Sequence, residues 1–189
     1  MLAYVFWHRP GAGVAPAEYE AANVRFQRSL AAHAPGGFLG SACLRAAELP
    51  WLGDGGPGYE DWYLVEDFAA LGVLNEAAIG RGPKTAHDAA ARLSREGSAG
   101  IYRMLDGSAS LEQVAFASWI APPWGDHQLL LDDFFADEID PQQASLWRRQ
   151  LALGPGAERC LLTATLPEGL SGRRLPAHWH VEVGIRAAL

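Results

Sequence analysis

Short apolar segments, rich in aromatic and β-branched residues and separated by glycine, proline and polar residues, run along the whole chain. Such segments are typical of β-strands, because branched and aromatic side chains pack well on a pleated surface. The pattern predicts strands over residues 2–9, 38–49, 59–67, 99–105, 113–123, 158–167 and 178–187.

Four other segments have helical features. The clearest begins at Pro16, which suits the first position of a helix, and continues to residue 33 with apolar residues every three to four positions. The residues of this buried stripe are Tyr19, Ala22, Phe26 and Leu30. Further helices are predicted over residues 68–79, 84–96 and 140–153. The last of these rests on Asp140 as an N-cap and Pro141 at the first helical position.

Several sequence matches indicate an internal duplication. Residues 3–10 (AYVFWHRP) align with 115–122 (AFASWIAP), 26–31 (FQRSLA) with 147–152 (WRRQLA), and 43–50 (CLRAAELP) with 160–167 (CLLTATLP). Trp62 and Trp179 each follow the last proline of their segment by twelve residues. Matches in the same order predict two related units, covering residues 1–110 and 111–189. The second unit is shorter, because it lacks a counterpart of residues 68–105.

One unit has the order β-α-β-β-α-β, which is that of the ferredoxin-like unit. We therefore expect an α+β fold of two ferredoxin-like repeats, with antiparallel sheets, helices on the outer faces and sheets that can close into a barrel. In element order and duplication the chain resembles the dimeric α/β-barrel superfamily. Its members include antibiotic-biosynthesis monooxygenase-like, EthD-like and stress-responsive proteins, and haem enzymes related to chlorite dismutase. The resemblance implies a ligand site in the space between the sheets.

Composition and charge narrow the possible partners. Net charge is -7 and the pI is near 5.3, which argues against nucleic-acid binding, since that needs a basic surface. The first ten residues lack the features of a signal peptide, and no apolar run approaches the ~20 residues that span a bilayer. We expect a cytoplasmic monomer or homodimer that does not enter membranes. Cys43 and Cys160 lie in apolar strands and are predicted to be buried thiols.

The alternation of side chains along the strands predicts which residues share a face. In the last strand Trp179 and its apolar partners are expected to pack on helices, which leaves two histidines and a glutamate on the other face. The same register places Asp61 and Tyr63 on that kind of face. The predicted inter-sheet space is lined by Tyr4, Phe6, His8, Arg45, Asp61, Tyr63, His178, His180 and Glu182.

An apolar, aromatic lining with a few polar groups is typical of a small-molecule site. His8, Tyr63 and His180 are the predicted catalytic residues, because histidine exchanges protons near neutral pH. The predicted ligand-binding residues are Tyr4, Phe6, Arg45, Asp61, His178 and Glu182. A solvated strand face would produce the same pattern of polar residues, so that alternative stays open.

Two other chemistries are also compatible with the histidines. His178 and His180 form a His-x-His pair, with Glu182 as a third donor, and this resembles the His-x-His core of cupin proteins. The later glutamate and further histidine of that pattern are missing here, so we expect no metal. A haem protein of the resembled superfamily would need an axial histidine, for which His87 is a candidate on the helix 84–96.

The expected function is that of a small-molecule-binding protein. The resemblance implies a monooxygenase-like or EthD-like enzyme that acts on an apolar substrate without a bound cofactor. The alternative is a non-catalytic ligand-binding or stress-associated protein that uses the same space.

Overall fold

The computed structural model describes residues 1–46, 48–53, 56–80, 82–108, 111–121, 140, 142–152, 154, 156–165 and 180–185. For residues 121, 152 and 180–185 it describes the backbone. His178 and Trp179, which the sequence analysis singled out, lie outside these ranges.

The described residues form eight strands and three α-helices. In chain order these are β1 (Leu2–Pro10), α1 (Pro16–Ala32), β2 (Phe38–Ala46), β3 (Gly58–Val65), α2 (Phe68–Ala78), α3 (Lys84–Leu93), β4 (Ser94–Gly107), β5 (Phe116–Ala121), β6 (Ala144–Ala152), β7 (Arg159–Thr163) and β8 (His180–Ile185). The α+β class and all but one of the predicted elements are confirmed. The exception is β6, which occupies a segment that was predicted to be helical.

All eight strands belong to one antiparallel sheet, in the order β2-β3-β1-β4-β6-β7-β5-β8. Strands β1–β4 lie side by side in the order β2-β3-β1-β4. Strands β5–β8 lie in the corresponding order, β6-β7-β5-β8. The two halves join where β4 pairs with β6. The outer strands β2 and β8 also lie within contact distance of each other, so the sheet is curled.

The predicted helix over residues 140–153 is wrong. Asp140 does use its side chain to accept from a backbone N–H, that of Gln142 at 2.9 Å, and its carbonyl accepts from Gln143 N at 2.8 Å. These bonds close a turn, and the chain then extends from Ala144 between β4 and β7. The two strand partners satisfy the backbone of this segment, so tertiary pairing overrides a local helix-start signal.

The quoted duplication matches do not overlay in the structure. Residues 26–31 lie in helix α1, whereas their matched residues 147–152 lie in strand β6. Residues 43–46 lie in β2, which by strand order corresponds to β6, although the sequence match pairs them with β7. The duplication is therefore not confirmed, and what repeats in the described residues is the order of strands.

One face of the sheet curls around a buried tryptophan core. We define this core as Trp7, Trp62, Trp119 and Trp147 together with the partly buried Trp51, and neighbouring ring centroids lie 5.0–6.0 Å apart. Trp7 of β1 contacts Trp119 of β5, although three strands separate β1 from β5 in the sheet. Only a curled sheet brings such distant strands together, so this is its concave face.

The other face of the sheet carries the helices. Leu2, Tyr63 and Val65 pack there with Phe26 and Leu30 of α1, and α1 also contacts α3. The prediction of which side chains share a face is confirmed for β1 and β3. The prediction of which face packs against the helices was wrong. The tryptophans face the inside of the curled sheet, and Tyr4, Phe6, His8, Asp61 and Tyr63 face the helices. The reason is that the apolar tryptophans fill the concave side by packing on each other rather than on helices.

Candidate functional site

A cavity of about 650 Å³ lies between the sheet and helices α1, α2 and α3. We call it the helix-side cavity. Strands β1, β3 and β4 form its floor. Helix α2 and Ile79, which caps its C-terminus, contribute the most exposed wall, in which Phe68 and Ile79 are half-exposed. Its polar lining residues are His8, Tyr19, Asn23, Asp61, Tyr63, Asn75, His87 and Ser94. The rest of the lining is apolar or aromatic, which is the makeup of a small-molecule site.

Three ring-bearing side chains of β1 form a row along the cavity floor. Because alternate residues of a strand share a face, Tyr4, Phe6 and His8 lie side by side. Tyr4 and Phe6 are stacked with centroids 6.5 Å apart, and Phe6 and His8 are stacked at 5.1 Å. The row gives the cavity a flat aromatic wall that ends at an imidazole.

The register of three neighbouring strands brings His8, Asp61 and Cys43 together. Asp61 on β3 is paired with Phe6 on one side and with Cys43 on the other, and His8 is paired with Tyr59. His8 Nε2 lies 3.3 Å from Asp61 Oδ1, and both side chains are almost fully buried. The imidazole and the carboxylate form a buried pair at the end of the cavity floor.

Asp61 has several further partners. Its Oδ2 accepts a hydrogen bond from Tyr63 Oη at 2.8 Å, and Tyr63 Oη accepts one from Gln27 Nε2 at 3.1 Å. Burial on its own would raise the pKa of Asp61, but His8 and the hydrogen bonds from Cys43 and Tyr63 hold it below its ordinary value. Asp61 is therefore a carboxylate at neutral pH, and burial and this charge raise the pKa of Tyr63.

His8 also contacts helix α1. Its Nδ1 lies 2.5 Å from the hydroxyl of Tyr19, a buried residue in the first turns of the helix. In a neutral ring with its proton on Nε2, that proton would face Asp61 and Nδ1 would accept the Tyr19 O–H. Burial raises the pKa of Tyr19 to about 12, so this phenol remains protonated.

The ligand atoms of His8, Cys43 and Asp61 lie within 4.8 Å of one another. A divalent metal could bridge such a spacing, with the sulfur as a thiolate. Burial and the neighbouring Asp61 raise the pKa of Cys43 well above its ordinary value, which favours a protonated thiol that donates to the carboxylate. Without a bound ion, the Cys43 thiol is therefore protonated and donates to the Asp61 carboxylate.

The structure brings together five of the nine predicted site residues. Tyr4, Phe6, His8, Asp61 and Tyr63 all line the helix-side cavity. It lies under the helices and not between two sheets, because the tryptophan core fills the concave side.

The remaining four predicted residues are not part of that group. Arg45 is half-exposed and forms a bidentate ion pair with Glu20 at 2.7 and 2.8 Å, away from the cavity. His180 and Glu182 lie in β8, where their backbones are paired with Ala121 and Trp119 of β5. His178 lies outside the described residues.

Sequence reasoning missed the contribution of the helices to this site. Tyr19 was assigned only to an apolar stripe, and Asn23 was not singled out. Asn23 is 4% exposed, four residues after Tyr19, and its Nδ2 donates to the Tyr19 carbonyl at 3.0 Å. An asparagine on the buried face of a helix is the signal that could have indicated a polar site there. His87, considered above as a haem ligand, lies in the cavity wall with its Nδ1 3.3 Å from Asp88 Oδ1.

Comparison with solved structures supports the fold. A protein named "Putative monooxygenase" from Fusobacterium nucleatum matches 100% of this chain and 92% of its own, with a TM-score of 0.62 at 10% identity. An "anthrone oxidase-like protein" matches 98% and 91%, with a TM-score of 0.57 at 9% identity. A "putative monooxygenase" from Lactobacillus acidophilus matches 100% and 97%, with a TM-score of 0.52 at 8% identity. No protein-family model and no curated protein matches the chain.

The likeness to these neighbours extends over nearly the whole chain, so the overall α+β fold is shared with them. At 8–10% identity the likeness concerns the fold alone, because one fold can host many activities.

Among the described residues, no helix has the length and apolar character needed to cross a membrane.

Proposed function

We propose that this chain is a monooxygenase-like enzyme that binds an apolar, aromatic small molecule in the helix-side cavity and acts on it without a bound cofactor. The observation that carries the proposal is the buried His8–Asp61 pair at the end of an aromatic cavity floor. The names of the structural neighbours support the same class of reaction.

The cavity suits a flat apolar ligand. A volume of about 650 Å³ lies within the usual range for small-molecule sites. The ring row of Tyr4, Phe6 and His8 supplies a surface on which an aromatic ligand can stack, an arrangement that aromatic rings favour. No lysine or arginine lines the described cavity, which favours a ligand that enters as a neutral molecule.

The polar groups at the end of the floor supply acid–base chemistry. In this proposal the His8–Asp61 pair accepts a proton from the substrate, and Tyr63, which donates to Asp61, helps to hold the carboxylate in place. A positioned base contributes about 10²–10⁴-fold to the rate of a proton transfer. The catalytic role of His180 and the ligand-binding roles of His178 and Glu182 stay predictions, whereas Arg45, which is paired with Glu20 away from the cavity, has no part in the proposed chemistry.

The proposed reaction needs dioxygen and no external reductant. A CH₂ group flanked by aromatic rings loses a proton to the base, and the resulting carbanion is oxidised by O₂. Conversion of CH₂ to C=O consumes one O₂ and releases one H₂O, so electrons and atoms balance. Anthrone, which yields anthraquinone in this way, is a suitable probe of the class.

Gly72 provides a matched test of the cavity. It lies on α2 in the cavity wall, and a Cβ built there meets no atom within 4 Å. Gly72→Phe is expected to place a ring in the cavity and to lower anthrone-dependent O₂ consumption by at least about tenfold, whereas Gly72→Ala retains it. An oxygen electrode and anthraquinone absorbance measure the reaction. Equal activity of the two variants, or none in the wild type, would contradict the enzyme proposal.

A second candidate function is ligand binding without catalysis. It is favoured by the fact that both ring nitrogens of His8 already face protein groups, Asp61 and Tyr19. Binding of anthrone by the wild type, weakened in Gly72→Phe and without O₂ consumption, is the result that selects this function.

We also propose that residues 1–110 and 111–189 are two ferredoxin-like units of common origin. The repeated strand order supports this, and the proposed boundary lies between β4 and β5, where the first set of four strands ends.

A further inference from the structure

Tyr19 is placed where a ligand can reach the His8–Asp61 pair. It lines the helix-side cavity, and its hydroxyl is 2.5 Å from His8 Nδ1. Its ring is packed against His8 and Tyr59, with centroids 5.5 and 5.1 Å away. Because Asn23 ties its side chain to the Tyr19 carbonyl, both the backbone and the ring of Tyr19 are fixed.

The surroundings of His8 leave its nitrogens no open direction toward a ligand. Nε2 faces Asp61 Oδ1 at 3.3 Å and Nδ1 faces the Tyr19 hydroxyl. The rings of Phe6 and Tyr59 are stacked on the imidazole, both with an interplanar angle of 17°. Because both nitrogens already face protein groups, a proton from a ligand would reach His8 through one of those groups, of which Tyr19 and Asp61 line the cavity.

We propose that Tyr19 is a catalytic residue that contacts the substrate, and that Tyr19, His8 and Asp61 form a proton relay for apolar aromatic substrates with one acidic O–H or C–H. The inference rests on the proposed function and deepens it. The substrate gives its proton to the Tyr19 oxygen while the Tyr19 proton passes to His8 Nδ1. The products are the substrate anion, an unchanged tyrosine and an imidazolium beside the Asp61 carboxylate, so protons and charge balance.

The electrostatics of the cluster suit this direction of transfer. The charged and titratable side chains that face His8 are Asp61 and Tyr59 from β3, Cys43 from β2 and Tyr19 from α1. Among these, Asp61 is the group that is ionised at neutral pH, so it stabilises the imidazolium that forms. A phenol that stays protonated between transfers passes protons without accumulating as phenolate.

Two tyrosines that flank the same imidazole provide the matched variants. The Tyr19 hydroxyl faces His8, whereas the Tyr59 hydroxyl donates to Glu20 Oε1 at 3.1 Å, outside the cavity. Both Tyr19→Phe and Tyr59→Phe retain the ring, so each removes one hydroxyl while preserving the packing around His8.

The first measurement needs no substrate. In ¹⁵N-histidine-labelled wild-type protein we expect the His8 ring signals of a neutral Nε2–H tautomer whose Nδ1 accepts a hydrogen bond. The ¹⁵N chemical shift of His8 Nδ1 should change in Tyr19→Phe and remain at its wild-type value in Tyr59→Phe. An unchanged Nδ1 signal in Tyr19→Phe would overturn the relay.

The second measurement uses 4-nitrophenol, whose phenolate is distinguished by its absorbance. The ratio of bound phenolate to phenol should fall at least about tenfold in Tyr19→Phe and remain at the wild-type value in Tyr59→Phe. Anthrone-dependent O₂ consumption should fall about 10²–10⁴-fold in Tyr19→Phe alone.

The outcomes separate the two proposals. If Tyr19→Phe binds 4-nitrophenol, ionises it and consumes O₂ like the wild type, the relay fails and the proposed function stands. If the wild type ionises 4-nitrophenol through Tyr19 but does not oxidise anthrone, the relay stands and the oxidation fails. If 4-nitrophenol does not bind, or purified protein holds a stoichiometric metal on His8, Cys43 and Asp61, the relay is overturned.

Discussion

Asp61 is an ionised carboxylate although its side chain is buried, and the reason lies in its immediate neighbours. Burial opposes its charge, while the imidazole of His8 and hydrogen bonds from Cys43 and Tyr63 favour it. A buried charge is retained only when it is paired and hydrogen-bonded. The residue that anchors the proposed chemistry is therefore also coupled to folding stability.

This coupling predicts a dependence of stability on pH. The pKa of Asp61 is lower in the folded protein than its ordinary value of 3.8, so its contribution is fully present above that value and is lost as pH falls through the folded pKa. Asp61→Asn should be less stable than wild type at pH 7, and the difference should shrink below about pH 4. Urea unfolding of both proteins at pH 7 and at pH 3 measures this difference in the free energy of unfolding. A constant difference across this range would show that Asp61 is not held as a carboxylate.

At the scale of single residues, the sequence predicted the neighbours along a strand better than the neighbours across the fold. Tyr4, Phe6 and His8 share a face because the period of a strand is two, and that much is readable from the chain. Tyr19 meets His8 only because α1 crosses β1 at that point. No local sequence pattern indicates where a helix crosses a strand, so the contact of Tyr19 with the His8–Asp61 pair was not predicted.

Helix α2 is the element on which the cavity wall depends. Of its described side chains only Ala70 and Leu74 are buried, while Phe68, Val73 and Ile79 beside them are about half-exposed. Such limited packing leaves a large share of its stability to local interactions, since short helices are marginal without tertiary contacts.

The N-cap of α2 is therefore expected to matter. Asp67 Oδ1 accepts from Ala70 N at 2.9 Å, which satisfies one of the free N–H groups of the first turn. Asp67→Ala should lower the free energy of unfolding by about 1 kcal/mol, whereas Asp67→Asn, which also caps well, should retain most of it. Thermal unfolding by circular dichroism compares the two variants, and an equal loss in both would point to the negative charge rather than the cap.

Helices and strands were predicted reliably where their own residues determine the conformation. They were predicted less reliably where pairing with distant strands determines it. Pro16 and the apolar stripe that follows it specify α1 locally. Asp140 and Pro141 form a plausible helix start just before residues 144–152, yet β4 and β7 would each lack a strand partner on one edge without these residues. Their conformation is therefore set by the sheet, through strands that are distant in sequence.

At the scale of the whole molecule, the two halves share one core. Trp7 and Trp62 come from the first half of the sheet, Trp119 and Trp147 from the second, and they contact each other directly. The sequence indicated two units, and the repeated strand order supports that description. The burial of both sets of tryptophans in one core was not predictable, because it depends on the curl of the complete sheet.

Glu60 joins the halves inside this core, and its removal is the most direct test of their coupling. The residue is fully buried, and its carboxylate accepts from the indole N–H groups of Trp7 at 2.9 Å, Trp119 at 3.2 Å and Trp62. Each buried donor left without an acceptor costs about 1–3 kcal/mol, so Glu60→Ala should lower the free energy of unfolding by at least about 3 kcal/mol. Replacement of the exposed Glu66 by alanine serves as the control and should have little effect.

The same variant shows whether the halves unfold together. If one core stabilises both, urea unfolding followed by tryptophan fluorescence and by far-ultraviolet circular dichroism should give coincident single transitions in the wild type and in Glu60→Ala. Two transitions, with only one shifted by the substitution, would show instead that the halves fold independently. Coincident transitions would mean that the helix-side cavity, whose described lining comes from the first half, depends on β5 and β6 of the second half for its stability.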